Sequence, residues 1–236
     1  MSVLTVALIG GMVWMARNSK VDVSNIDHNA VQPASKASGQ IADHVYGNKE
    51  SKVRLIEYGD FQCPGCGSAY PVIKQIMEKY KDKIAFVFRN KPIVTIHPNA
   101  LAAAASAEAA GLQGKYWEMN DKLYESQKAW ESLSGQDRTN YFVSTAQSLG
   151  LDTKKFTEDL DSSNVKAKIS FDSSLADKAG VTGTPSFFLN GTQIDQNVKD
   201  GKLVSASTSD SRTVWSDFTN FETLIILPAL KEHGIQ

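Results

Sequence analysis

Apolar and polar positions alternate in blocks that divide the chain into a few clear segments. Residues 2–16 carry no charge, and Arg17 and Lys20 follow them. Residues 18–40 are rich in Asn, Ser, Asp, Ala and Lys and show neither a helical nor a strand period, the mark of a flexible tether. Residues 53–58 form an apolar run of strand length, and a helical pattern opens at the cysteines and continues to about Tyr80. Pro64 falls in the first turn of that helix, where proline is tolerated, whereas Pro71 lies inside it and is expected to kink it. Residues 84–88 are apolar throughout and predict a central strand. Strand, helix, strand in this order predicts parallel pairing through a crossover.

A long helical stretch follows. Its segments are 100–110, 115–127, 138–149, 153–160 and 164–179. Roughly 85 residues of helix between two strand regions is a subdomain and not a loop. Strand character returns at 186–189, Asn190-Gly191 is a hairpin turn signal, and 192–194 can be the returning strand. Residues 195–215 give no readable pattern. A last helix is expected near Thr219, with Glu222 completing a capping box and Pro228 bending or shortening it.

Composition narrows the classes without choosing among them. Of 236 residues, 42% are hydrophobic and 22% charged, ordinary for a globular protein with a core of adequate size. The formal net charge is −1, so no global field favours nucleic acid. Only two cysteines are present, both in one four-residue motif, which excludes a disulfide-scaffolded miniprotein and a four-cysteine zinc site. The expected organisation is an anchor or signal-like segment at 1–17, a tether at 18–40 and a folded domain at 41–236 with the helical insertion at about 97–181. Residues 2–16 are short for a spanning helix, and their positive flank lies on the C-terminal side, which opposes export of the body.

Cys63-Pro64-Gly65-Cys66 carries the candidate chemistry. Thiolate is the reactive form of cysteine, and a helix N-terminus favours negative charge, so Cys63 is the expected nucleophile. Cys66, one turn in, is the expected resolving thiol. Zinc would need a second ligand pair, and His44, His97 and His233 are too scattered to supply it. An inert structural disulfide is the other reading, but so tight a loop adds little stability. Neither a metal nor a cofactor is expected. Glu57 stands six residues before Cys63 on an apolar strand. Facing inward it could exchange a proton with Cys66; facing outward it is a strand-end carboxylate, and periodicity does not choose. Thr184-Pro185 directly precedes a strand, and base rates favour a trans bond there. Asp60 reads as a turn residue, His97 as a helix cap, Trp117 and Trp130 as core, and Phe61 and Tyr70 as candidates for a groove that binds unfolded chains.

The run 43–48, the segment LIEYGDFQCPGC at 55–66 and the segment GTPSFFLNG at 183–191 together resemble the DsbA family, in its membrane-anchored, thioredoxin-like branch. The resemblance extends from about residue 41 to 230 and is weak at 195–217. It implies an α/β thioredoxin-like fold with an inserted helical subdomain. It implies that Cys63 is the nucleophile, that Cys66 resolves, that Glu57 is a buried acid, and that Pro185 is cis with the Thr184 backbone pairing to substrate. Pro64 and Gly65 shape the motif. Strongly oxidising members have histidine where this chain has Gly65, which implies a less extreme potential. The implied activity is protein thiol–disulfide oxidation outside the cytoplasm, on cysteine-containing exported proteins. Reoxidation would come from a quinone-linked membrane oxidase, with the chain held at the membrane by its N-terminal segment. A reductase or isomerase of the same compartment, and a tethered chaperone with a passive disulfide, are the alternatives.

Overall fold

A computed structural model describes residues 21–235. Its framework is a five-stranded sheet. In chain order come β1 (Val45–Gly47), β2 (Arg54–Gly59), helix α1 (Pro64–Tyr80) and β3 (Ala85–Asn90). The helices α2 (Ala100–Gly111), α3 (Tyr116–Glu125), α4 (Gln127–Trp130), α5 (Gly135–Ser148), α6 (Thr153–Asp159) and α7 (Ser163–Lys178) follow. The chain returns to the sheet with β4 (Ser186–Leu189) and β5 (Thr192–Gln193). The strand order is β1-β3-β2-β4-β5, so β2 is central and β3 stands beside it. β2 and β3 run parallel through the α1 crossover, while β2 and β4 are antiparallel with Glu57 opposite Phe187. Asn190 and Gly191 take positive φ of 47° and 88° in the β4–β5 turn, as a two-residue hairpin requires.

The alternation along β2 assigns its two faces. Leu55 joins Phe86, Phe88 and Phe187 in a core completed by Cys66, Ile73 and Ile76 of α1 and by residues of the inserted helices. Ile56 and Tyr58 join Val87 and Phe188 against Phe171 and Leu175 of α7. Helix α1 remains helical through Pro71. Its buried positions 66, 69, 72, 73, 76, 77 and 80 follow the 3.6-residue period.

Three expectations change. The tether is the first: residues 21–40 lie packed on the fold. The Arg89 guanidinium donates to the carbonyls of His28 and Ala30, Arg54 Nη1 donates to the Asn29 carbonyl, and Lys178 Nζ reaches those of Val23, Ser24 and Ile26. Val23 and Gln32 are buried. This segment lacks a periodic pattern because side chains distant in sequence satisfy its carbonyls, in place of a regular ladder. The expected anchor at 1–17 lies outside the described residues. Among those described, no helix is long and apolar enough to cross a membrane.

The second change concerns residues 195–215. They form a small three-stranded sheet, β6 (Asn197–Lys199), β7 (Lys202–Val204) and β8 (Arg212–Thr213), in order β7-β6-β8, followed by a 3-10 turn at Val214–Ser216. The third is the last helix. Asp217 caps it, its carboxylate accepting from Asn220 N at 2.8 Å. Helix α8 (Phe218–Phe221) passes through a π segment at Glu222–Ile226 into α9 (Leu227–Glu232). Glu222 makes no capping box; its carboxylate accepts from Tyr80 Oη at 2.6 Å and from Lys79. The π segment adjoins Pro228, which has no N–H for the carbonyl four residues back.

Charged side chains with no exposure hold the N-terminal segment to the second face. Arg89 pairs with Asp43 at 2.7 Å, and Lys168 reaches Asp43 at 2.9 Å and Asp172 at 2.7 Å. The two cations hold the Asp43 carboxyl well below the usual range despite its burial. Removing one partner of such a pair leaves an uncompensated buried charge, which costs about 3–5 kcal/mol. Arg89→Leu is therefore expected to lower the urea-unfolding free energy by roughly that amount. An unchanged midpoint would show that the segment is held by packing alone.

Candidate functional site

The site forms where the C-terminal end of β2, the start of α1 and the loop before β4 meet. Cys63 is the N-cap residue of α1, with extended backbone (φ −66°, ψ 124°), and Pro64 occupies the first helical turn. Both cysteines are free thiols. Cys63 is 8% exposed and Cys66 1%. The Thr184-Pro185 bond is cis, against the base rate and as the resemblance implied. Cys63 Sγ lies 3.3 Å from the Thr184 carbonyl oxygen, to which the thiol donates. A side chain at Gly65 would begin 3.2 Å from Pro185 Cδ and 3.6 Å from Cys63 Sγ. Position 65 thus faces both the sulfur and the proline, and glycine leaves that space open.

The two sulfurs have opposite proton affinities. Hydrogen bonding from Cys66 is the largest influence on Cys63, and Thr184 and the amides of Cys66 and Gly65 add to it. Together they outweigh partial burial and bring the Cys63 thiol down to about 5, from an ordinary value of 9.0. The buried Thr184 hydroxyl has no hydrogen-bond partner among the described residues. Burial pushes Cys66 well above the ordinary thiol range, and so do its bond to Cys63 and the nearby charges of Glu57 and Cys63. The Asp60 amide, 3.5 Å from Cys66 Sγ, offsets this only in part.

Glu57 points inward. It is 4% exposed on the face that carries the cysteines, and burial, with the charge of Cys63 second, raises its carboxyl to about 8. At neutral pH it therefore holds a proton beside a buried thiol.

Several groups that shape the site escape a sequence reading. Asp60 is fully buried and accepts from Gln62 N, Ile93 N and His97 Nδ1, each at 2.8 Å. It is a turn residue, as expected, but one that ties the loop 91–99 to the cysteine turn. The His97 ring binds Asp60, and Asn99 stands at the start of α2, so His97 is not that helix's side-chain cap. Gln127 of α4 donates to the carbonyls of Phe61 and Cys63 at 2.7 and 3.0 Å. Gly67 makes room for it, since a Cβ there would lie 2.6 Å from Gln127 Oε1. Gln196 Nε2 donates to the Pro185 carbonyl at 3.1 Å. The only signal for these contacts was the polar character of the residues.

Phe61 does not line a groove; it is buried against Phe88 and Tyr124. Tyr70 is half-buried and donates to Asp121 at 2.9 Å. Val94 and Ile96 are the exposed apolar side chains on the loop that Asp60 holds, 53% and 68% accessible. Trp130 is core, its indole N–H satisfied by the Leu123 carbonyl, and Trp117 is half-buried against Phe86. Among the described residues no cluster of His, Cys, Asp or Glu is arranged to hold a metal.

A family model described as thioredoxin matches residues 40–206. The chain belongs to the thioredoxin family. A thioredoxin-like oxidoreductase from Silicibacter pomeroyi is 30% identical, with 64% of this chain and 82% of that one covered and a TM-score of 0.54. The DsbA likeness read from the motifs is also a likeness of fold. Wolbachia pipientis α-DsbA1 matches 81% of this chain and 91% of its own at 24% identity and a TM-score of 0.61. A Na(+)/H(+) antiporter NhaA 1 of Salinispora arenicola is 38% identical over 167 residues, covering 71% of this chain and 24% of the antiporter. The chain thus spans about a quarter of the length of the curated relatives it matches.

Glu57 yields a pH test with a definite sign. Its pKa in the folded state is raised, so its contribution to stability is complete below the ordinary 4.5 and is lost as pH rises through about 8. Glu57→Gln removes that loss. Urea unfolding of the reduced protein is expected to favour the Gln variant increasingly between pH 5 and 9. A difference that stays constant over this range would place the Glu57 proton elsewhere.

Proposed function

We propose that Cys63 and Cys66 form a redox pair that oxidises dithiols of exported proteins. The observation that carries this reading is the asymmetry of the two sulfurs. A stabilised Cys63 thiolate stabilises the reduced pair, and so makes the disulfide an oxidant. A low-pKa thiol is also the better leaving group.

The exchange proceeds in two displacements. A substrate thiolate attacks Cys63 Sγ of the oxidised pair, the Cys63–Cys66 bond breaks, and Cys66 leaves with the proton that Glu57 holds. A second substrate thiolate then attacks the substrate sulfur of the mixed disulfide, and Cys63 leaves as its stable thiolate. The substrate gives up two electrons and the pair gains them. In the reverse direction Glu57 takes the proton that Cys66 must lose. The Thr184 backbone, fixed by Pro185, pairs with the substrate chain beside the sulfur, and Val94 and Ile96 offer apolar contact to unfolded segments. Pro64 sets the helix start, and Gly65 leaves the approach open.

Reoxidation is assigned to a quinone-linked membrane oxidase, and the domain to the extracytoplasmic side of a membrane. The uncharged run at 2–16 supports attachment to a membrane, as does kinship with part of longer chains named antiporters, and the extracytoplasmic side rests on the DsbA resemblance. No cofactor and no nucleic acid enter the reaction.

Equilibration of the pair with glutathione tests the direction. The expected potential lies well above the roughly −270 mV of thioredoxin. A value at or below that makes the protein a reductase. Gly65→His, which would place a donor near Cys63 Sγ, is expected to shift the equilibrium further toward the reduced pair, by about tenfold for each 30 mV. Unchanged oxidation of exported substrates by Cys63→Ala would reduce the disulfide to a passive one.

A further inference from the structure

Pro185 is the residue that faces both Gly65 and, through Thr184, the Cys63 sulfur. A proline has no N–H, so its carbonyl is its only backbone hydrogen-bonding group. The β4–β5 ladder pairs Leu189 with Thr192 and Phe188 with Gln193, and Ile194 N still donates to the Phe187 carbonyl at 2.9 Å. The next carbonyl of β4 in this alternation is that of Pro185, and its ladder partner would be the backbone N–H of residue 196. The side chain of Gln196 takes that place, with Nε2 at 3.1 Å. The Gln196 carbonyl accepts from Val214 N at 2.8 Å, which ties this residue to the turn after the small sheet. Val214 begins the 3-10 turn that packs on α1, and Trp215 beside it packs on Phe187 of β4. The turn that follows the small sheet therefore touches both halves of the site, the cysteine helix and the cis-proline strand.

We infer that Gln196 is a positioning residue for the redox centre, holding the Thr184-Pro185 loop at the distance from Cys63 at which the Thr184 carbonyl accepts from the thiol. Nothing else among the described residues donates to the Pro185 carbonyl. Ser186 Oγ, bonded to the Gly183 carbonyl at 2.8 Å, restrains the loop on its other side. Gln196 is half-buried on the wall of a cleft of about 420 Å³ that also includes Thr184, Pro185 and Trp215. Because that cleft is open, water can reach the carbonyl when the amide is removed, and variants at 196 are expected to fold.

The proposal rests on the Cys63–Cys66 pair as a redox centre, and its test separates the two. Gln196→Leu and Gln196→Met both remove the donor without adding a charge. The first readout is the ionisation of Cys63 in the reduced protein, followed by thiolate absorbance. The second is the equilibrium with glutathione. Loss of the restraint withdraws the Thr184 carbonyl, the acceptor that favours the protonated thiol, so both variants are expected to shift the Cys63 titration downward and the glutathione equilibrium toward the reduced pair by about fivefold, the worth of one hydrogen bond. A merely structural role would lower thermal stability and leave the titration unmoved. That result, an unchanged Cys63 titration in both variants, overturns the proposal. A wild-type pair that does not exchange with glutathione at all overturns the redox reading instead, and the titration still decides the role of Gln196.

Discussion

The structure depends at its centre on a proton held unequally between two sulfurs. Cys63 and Cys66 sit one helical turn apart, yet their surroundings pull their ionisation in opposite directions. Cys66 is enclosed by core side chains and has a buried carboxyl beneath it, so it keeps its proton and donates toward Cys63. Cys63 stands where the amides of α1 have no intrahelical acceptor and where the cis-proline loop offers a hydroxyl. Burial alone would raise both thiols. Directed donors reverse the outcome at Cys63 because they act on the charged form at hydrogen-bond range.

The rest of the fold keeps these groups in register. β2 is central and supplies Glu57 from one face and Tyr58 from the other, so a single strand links the cysteine site to the charged cluster behind the sheet. The inserted helices contribute Gln127, which holds the cysteine turn through two carbonyls. Asp60 ties the same turn to the loop after β3. The N-terminal segment, fastened by Arg89 and Lys178, covers the second face of the sheet next to α7. Each restraint bonds a backbone group, which fixes chain position more firmly than packing between flexible side chains.

The framework was legible in the sequence because periodicity reports burial directly. Strands at 53–58, 84–88 and 186–189, the helix after the cysteines and the helices between β3 and β4 all follow from it. The cysteine pair was conspicuous for a different reason: CxxC at a strand-to-helix junction restricts the chemistry to a few types. Glu57 was half legible, since an acid on an apolar strand is conspicuous but its facing depends on register. Three features were hidden. Residues 21–40 are polar and aperiodic, and their order comes from Arg89 and Lys178, far along the chain. The small sheet at 197–213 buries few side chains, so no pattern marks it. Phe61 is an aromatic next to the motif, and only the tertiary fold shows that it packs inward on Phe88 and Tyr124.

The most direct test of the central claim is the pH dependence of alkylation in the reduced protein, read separately at each cysteine by peptide mass spectrometry. The asymmetry described here requires Cys63 to react with a midpoint near 5 and Cys66 to stay unmodified through neutral pH. Equal labelling of both cysteines, with a shared midpoint near the roughly 8.5 of a free thiol, would contradict it.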